Sequence, residues 1–179
     1  MFTDDDIKIA GDRPSKDIKL NKLNQDSILG IDKELVNSAK KAGSEVAKLF
    51  LDSLKNSEDG EEKDFELIIE RRLLLLFTAT VGFEQHIQSD SLSGIAQKSF
   101  LDTLKKSSPE IYETACDTGA FSFYYLAYRR GGDIERRMGQ TFAMLCSHDG
   151  DPIFQELGEA LYCWFYSAVE KTINKQFNK

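Results

Sequence analysis

Histidine is almost missing from this chain, which holds two in 179 residues, His86 and His148. Metal centres and acid–base pairs built on imidazole therefore have little to work with. His86 follows Glu84 by two positions, a spacing that a helix sends to different faces. Di-iron bundles need Glu and His three apart, repeated on a second helix, and no such pair occurs. Cysteine is scarce as well. Cys116, Cys146 and Cys163 make an odd number without a Cys-x-x-Cys spacing, and each falls inside an apolar helical pattern. They read as free, buried thiols in a reducing cytoplasm.

Long hydrophobic runs are lacking too. The longest mostly apolar stretch is the eleven residues 73–83, against the roughly 20 that a spanning helix takes. The start, Met1, Phe2, Thr3 and then Asp4, Asp5 and Asp6, has neither the basic opening nor the apolar run of a secretory signal. A glycine-rich phosphate loop, a Gly-x-Ser-x-Gly elbow, a His-Glu-x-x-His helix and a zinc knuckle are all absent, which speaks against the common enzyme classes. Thirty acidic against 23 basic side chains give a net charge of −7, which repels phosphate backbones and anionic lipid at long range. The expectation is a cytoplasmic protein that takes no nucleic acid, membrane, metal or cofactor.

What is present is helical pattern. Residues 1–30 are polar, contain Gly11, Pro14 and Gly30, and keep no period, so they read as a flexible N-terminal arm. Residues 31–179 read as one all-α domain. Asp32 is placed to cap a first helix with Leu35, Val36, Ala39, Val46, Phe50 and Leu54 at threes and fours, ending near Lys55 before a turn at 56–60. A long helix over 62–88 follows, with its middle apolar on every side. Ser91 is placed to cap a short helix closing at Ser107, and Ser108, Pro109 and Glu110 are a strong start signal for a second long helix running through 120–128 to Gly131 and Gly132. Asp133 opens a third short helix that stops at 148–150, and Asp151 with Pro152 opens a last long one. The pattern predicts six main helices as three consecutive short/long hairpins, in a compact bundle or a very short solenoid, with each long helix enclosed by its neighbours.

Two internal echoes accompany this order. Residues 48–57 and 98–107 agree at seven of ten places, the self-similarity expected of stacked units. A weaker one relates Pro109, Ile111, Tyr112, Phe123 and Tyr124 to Pro152, Ile153, Phe154, Phe165 and Tyr166.

Three groups of side chains could carry function. Cys146 and His148, beside Asp149, Gly150 and Asp151, could form a thiolate–imidazole pair or part of a metal site, although a turn and helix start account for the same residues. Arg129, Arg130, Arg136 and Arg137 flank the Gly131, Gly132 turn and could converge on an anion or acidic peptide, or pair with local carboxylates. Tyr124, Tyr128, Tyr162 and Trp164 could line a cavity for an apolar ligand, or form a hydrogen-bonded core. Gly82, Gly119, Gly139 and Gly158 each cost about 1 kcal/mol in a helix, which close helix crossings would offset. The leading expectation is a non-catalytic interaction or scaffold protein with a protein partner or a second copy of itself as a homodimer, because three amphipathic helices cannot cover three fully apolar ones. A small-molecule binder comes second, and an enzyme using Cys146 and His148 third.

Overall fold

A computed structural model of the chain describes residues 32–55, 65–116, 119 and 121–177. The arm expected over 1–30 and the turn expected over 56–60 lie outside the described residues. Among those described, the fold is all-helical, with seven helices: α1 (Lys33–Lys55), α2 (Phe65–His86), α3 (Asp90–Ser107), α4 (Pro109–Cys116), α5 (Ser122–Arg129), α6 (Ile134–Leu145) and α7 (Pro152–Phe177). None of them is long and apolar enough to cross a membrane.

The centre of the bundle is α2, which touches every other described helix. From Leu73 to Phe83 its side chains are buried all round, with only Thr80 partly accessible. Thr78 and Thr80 tolerate this position because their hydroxyls donate to the carbonyls of Leu74 and Leu76 one turn back, at 2.7 and 3.2 Å.

On one side α1 and α3 cross closely. Ala39, Ala42, Gly43, Val46, Ala47 and Phe50 form the buried stripe of α1. A Cβ on Gly43 would collide with the backbone carbonyl of Ala96, so here the two backbones themselves are in contact. The Ser99 hydroxyl crosses the same junction to the Lys40 carbonyl at 2.7 Å. The stronger echo lies in this pair: Phe50 and Phe100, which answer one another in sequence, meet edge to face with ring centroids 6.3 Å apart. Phe165 and Phe83 extend the chain of rings, on Phe50 at 6.4 Å and on Phe100 at 5.8 Å.

On the other side α6 and α7 pack by the same device. A Cβ on Gly139 would meet the Gln155 carbonyl, and one on Gly158 would enter the Phe142 ring. Gly82 likewise makes room for Val169. Of the four helical glycines singled out, Gly119 is the exception, because it stands in a turn.

Three expectations need correction. The cap of α3 is Ser89 rather than Ser91, its hydroxyl accepting from the Leu92 N–H at 3.4 Å. The single long helix expected from Pro109 to Tyr128 is two helices of eight residues. Gly119 stands in a turn between them, and it outweighs the apolar pattern on either side. This also makes the helix count seven instead of six. Finally, within the chain neither α5 nor α7 is enclosed on every face: Phe123, Tyr125 and Leu126 of α5 and Ile153, Leu157 and Trp164 of α7 are exposed. α5 rests mainly on α6, and α7 packs on α1, α2 and α6 yet keeps one face clear of them; an apolar run is enclosed only where helices surround it.

Candidate functional site

The glycines after α5 create the most site-like feature. Gly131 and Gly132 adopt φ of 65° and 75°, a left-handed region where a Cβ is costly. The chain reverses there. Asp133 then caps α6, its carboxylate accepting from the Arg136 N–H at 3.2 Å. The reversal lays α5 beside α6 and opens a cleft of about 260 Å³.

Arg130, which follows the last residue of α5, and Arg137 of α6 both line this cleft, together with Gln140, Thr141, Met144, Asp149 and Gln155. The Arg137 guanidinium lies over this turn, where a Cβ built on Gly132 would be in ordinary contact with it at 3.8 Å. Among the described residues neither arginine is held by a carboxylate in an ion pair. Two guanidiniums against one aspartate leave the cleft locally positive in a chain whose net charge is −7. Planar forks of this kind suit a carboxylate or a phosphate group.

Two of the four arginines named from sequence therefore converge. Arg129 instead lies over the Tyr125 ring one turn earlier, 5.6 Å from its centroid, and Arg136 stands exposed in the first turn of α6. Gln140, Thr141 and Gln155 went unnoticed in the sequence. Their signal is faint: 137, 140, 141 and 144 share one face of α6, which becomes recognisable only once α5 is known to fold back on it.

The aromatic candidates divide differently. Tyr124 and Tyr128 pack on Phe77 of α2, at 5.8 and 6.1 Å between centroids, and Tyr162 stacks on Tyr166 at 5.7 Å. Tyr124, Tyr162 and Phe77 belong to one core cluster with Met138 and Phe142, and Tyr128 packs against it. None of these rings lines the cleft. Trp164 stands away from them, half exposed on α7. Burial holds the Tyr124 and Tyr162 hydroxyls well above the ordinary phenol range, and the neighbouring Tyr166 and Tyr128 add to the effect at Tyr162. The Tyr124 hydroxyl has no hydrogen-bond partner among the described residues.

Cys146 is buried in that same cluster, whereas His148 is exposed and its ring lies flat on Phe154 at 3.7 Å. Ser147 between them adopts a φ of 60°, and Asp151 caps α7 through the Ile153 N–H at 2.9 Å. Cys146, His148 and Asp151 are thus each engaged by packing or capping, and Gly150, at a φ of 79°, completes the turn. Cys163 is half-buried beside Glu135, and burial first, then that carboxylate, pushes its thiol up to about 11. His86 ends α2 with its ring on Tyr166 at 5.0 Å and Nδ1 4.0 Å from a Glu170 oxygen. Among the described residues no three His, Cys, Asp or Glu side chains are grouped to hold a metal ion. Comparison with family models, with curated proteins and with solved structures finds no match to this chain.

Proposed function

We propose that the chain is a non-catalytic interaction module whose α5, α6 and α7 surface receives a protein partner, with a second copy of the chain included among its partners. One observation carries this. Of the eight large hydrophobic side chains exposed among the described residues, seven lie on these three helices, and the eighth is Leu35. Phe123 and Leu126 are more than half exposed although they sit on the same short helix as Arg130's cleft-lining neighbour Ala127. Apolar anchors beside a positively charged cleft suit a protein segment that pairs hydrophobic residues with an acidic one.

The small-molecule reading has weaker support. A volume of about 260 Å³ is below the roughly 300–1,000 Å³ of drug-sized pockets, and three of the four aromatic candidates are engaged in the core. Three cysteines outside any disulfide favour a cytoplasmic setting. We read the three-hairpin order as the scaffold of the module, with the Phe50 and Phe100 echo as its trace of repetition.

The test is a comparative capture from the native cytoplasm using the full chain and a Phe123→Ser, Leu126→Ser variant. Both positions are exposed, so the thermal midpoint should move by no more than about 0.5 kcal/mol allows. Proteins retained by the natural chain and lost by the variant are the expected result. Identical retention by both overturns the proposal for this surface.

A further inference from the structure

Along α7 the exposed residues are not scattered. Ile153, Leu157, Ala160 and Trp164 are all accessible and recur at intervals of four, three and four. The opposite face, Gly158, Tyr162, Phe165, Val169 and Ile173, is buried against the bundle. Spacing of four and three is the seam of a coiled coil, in which alternate apolar positions insert between those of a facing helix. Packing within the bundle does not use this seam, because α7 buries its other stripe there.

We propose that this seam pairs antiparallel with the same seam of a second copy. The pairing rests on the interaction function proposed above and gives it one partner and one geometry. Side-chain size selects the direction. An antiparallel two-fold arrangement sets Leu157 against Ala160 of the second copy in the two central layers and Trp164 against Ile153 in the two outer ones. Helices that cross at an angle are closest at the centre and diverge outward, so small pairs belong in the middle and large ones at the ends. A parallel pair would instead stack indole on indole and methyl on methyl, leaving a clash beside a void.

Charge opposes this choice at one point, where the two Glu156 side chains share a flank, and favours it at another. The seam carries no ionised group from 153 to 164, and its flanks are Glu156 and Cys163 on one side and Phe154 and Leu161 on the other. The two copies of Glu156 stand about 8 Å apart along the axis. Farther along, the arrangement carries exposed Lys171 beyond the end of the partner helix, toward the acidic turn that holds Asp149 and Asp151 of the second copy. Two chains of −7 repel at long range, so added salt strengthens an association through this uncharged seam. A contact of about three helical turns is short of the roughly 800 Å² per partner of a standard interface, and the exchange between one and two copies belongs in the micromolar range or weaker.

Sedimentation equilibrium of the full chain and cysteine cross-linking test this together. Expected are a monomer–dimer equilibrium that tightens with salt and a loss of at least tenfold in affinity for Trp164→Glu. In a background of Cys116→Ser and Cys163→Ser, a Leu157→Cys chain and an Ala160→Cys chain should cross-link to one another on mixing, and each should cross-link poorly alone. Homotypic links, or a dimer indifferent to Trp164→Glu, overturn the antiparallel seam while leaving an interaction module that uses another surface. A monomer at every concentration up to millimolar also overturns it, and the Phe123, Leu126 capture then decides the broader function by itself.

Discussion

The α1 to α3 region and the α5 to α7 region are built with the same means and end differently. Both use a glycine to bring two helix backbones into contact, Gly43 against Ala96 in the first and Gly139 against Gln155 in the second. The first region closes on itself: Phe50, Phe100 and Phe83 meet in a continuous chain of rings, and Leu35 is its one large apolar residue left in water among the described residues. The second spends its apolar side chains on both faces, so that Tyr124 and Phe165 are buried while the adjacent Phe123 and Trp164 are exposed. Packing within the fold accounts for one set. It does not account for the other.

The sharpest way to break the first region is Phe50→Ala. Phe50 is fully buried between Phe100 and Phe165, and its loss should cost about 3–5 kcal/mol in urea unfolding. Gly43→Ala comes next, at about 1–3 kcal/mol, because the obstacle is backbone that cannot rotate aside. Its control is Gly94→Ala on α3, where the added methyl meets nothing within 4 Å and helix propensity should add up to about 1 kcal/mol. Equal effects at the two glycines would dissolve the idea of a close α1 and α3 crossing.

For the second region the expected changes are smaller. Tyr124→Phe keeps the ring on Phe77 and removes a buried, unpartnered hydroxyl, so the variant should be more stable by about 1 kcal/mol. The same residue sets an alkaline limit. Unfolded tyrosines ionise near pH 10, but burial keeps Tyr124 and Tyr162 protonated beyond that in the fold. Above about pH 10 the unfolded chain therefore holds fewer protons than the folded one, and stability falls as pH rises. Thermal midpoints measured upward from pH 8 should decline less steeply in Tyr124→Phe than in the natural chain. Least in energy but most direct for chemistry is thiol labelling. Exposed Cys116 should react first, Cys163 increasingly as pH approaches about 11, and Cys146 only on unfolding. Rapid labelling of Cys146 in the folded protein would restore the case for thiolate chemistry with His148.

Helix starts and stops were legible where a side chain does the work locally. Asp133, Asp151 with Pro152, and the Gly131, Gly132 reversal stand where their residue types place them. Ser89 and Ser91 are chemically equivalent caps two positions apart, and choosing between them takes the geometry of the entering chain. Enclosure was legible only for α2. The runs centred on 120–128 and 160–169 look as apolar as 73–83, but composition says nothing about how many neighbours a helix will have. The weaker echo fails for a related reason: Phe123 is exposed and its counterpart Phe165 buried, so matching letters occupy opposite faces. In the cleft, the Gly131, Gly132 turn pointed to a meeting of arginines, yet which two meet is set by helix phase, since 130 and 137 face the groove while 129 and 136 face away.

An eight-residue helix has too few hydrogen bonds to persist by itself, and α5 lies between the turn at Gly119 and two left-handed glycines. It is attached through two rings, Tyr124 and Tyr128, laid on Phe77, and through Ala127. It is therefore the segment that lifts off first, at a small fraction of the cost of unfolding the whole. Among the trypsin sites of the described residues, Arg129 and Arg130 should be nicked first in the native protein, leaving the α6 and α7 hairpin as a fragment that stays bound to the rest until denaturant is added.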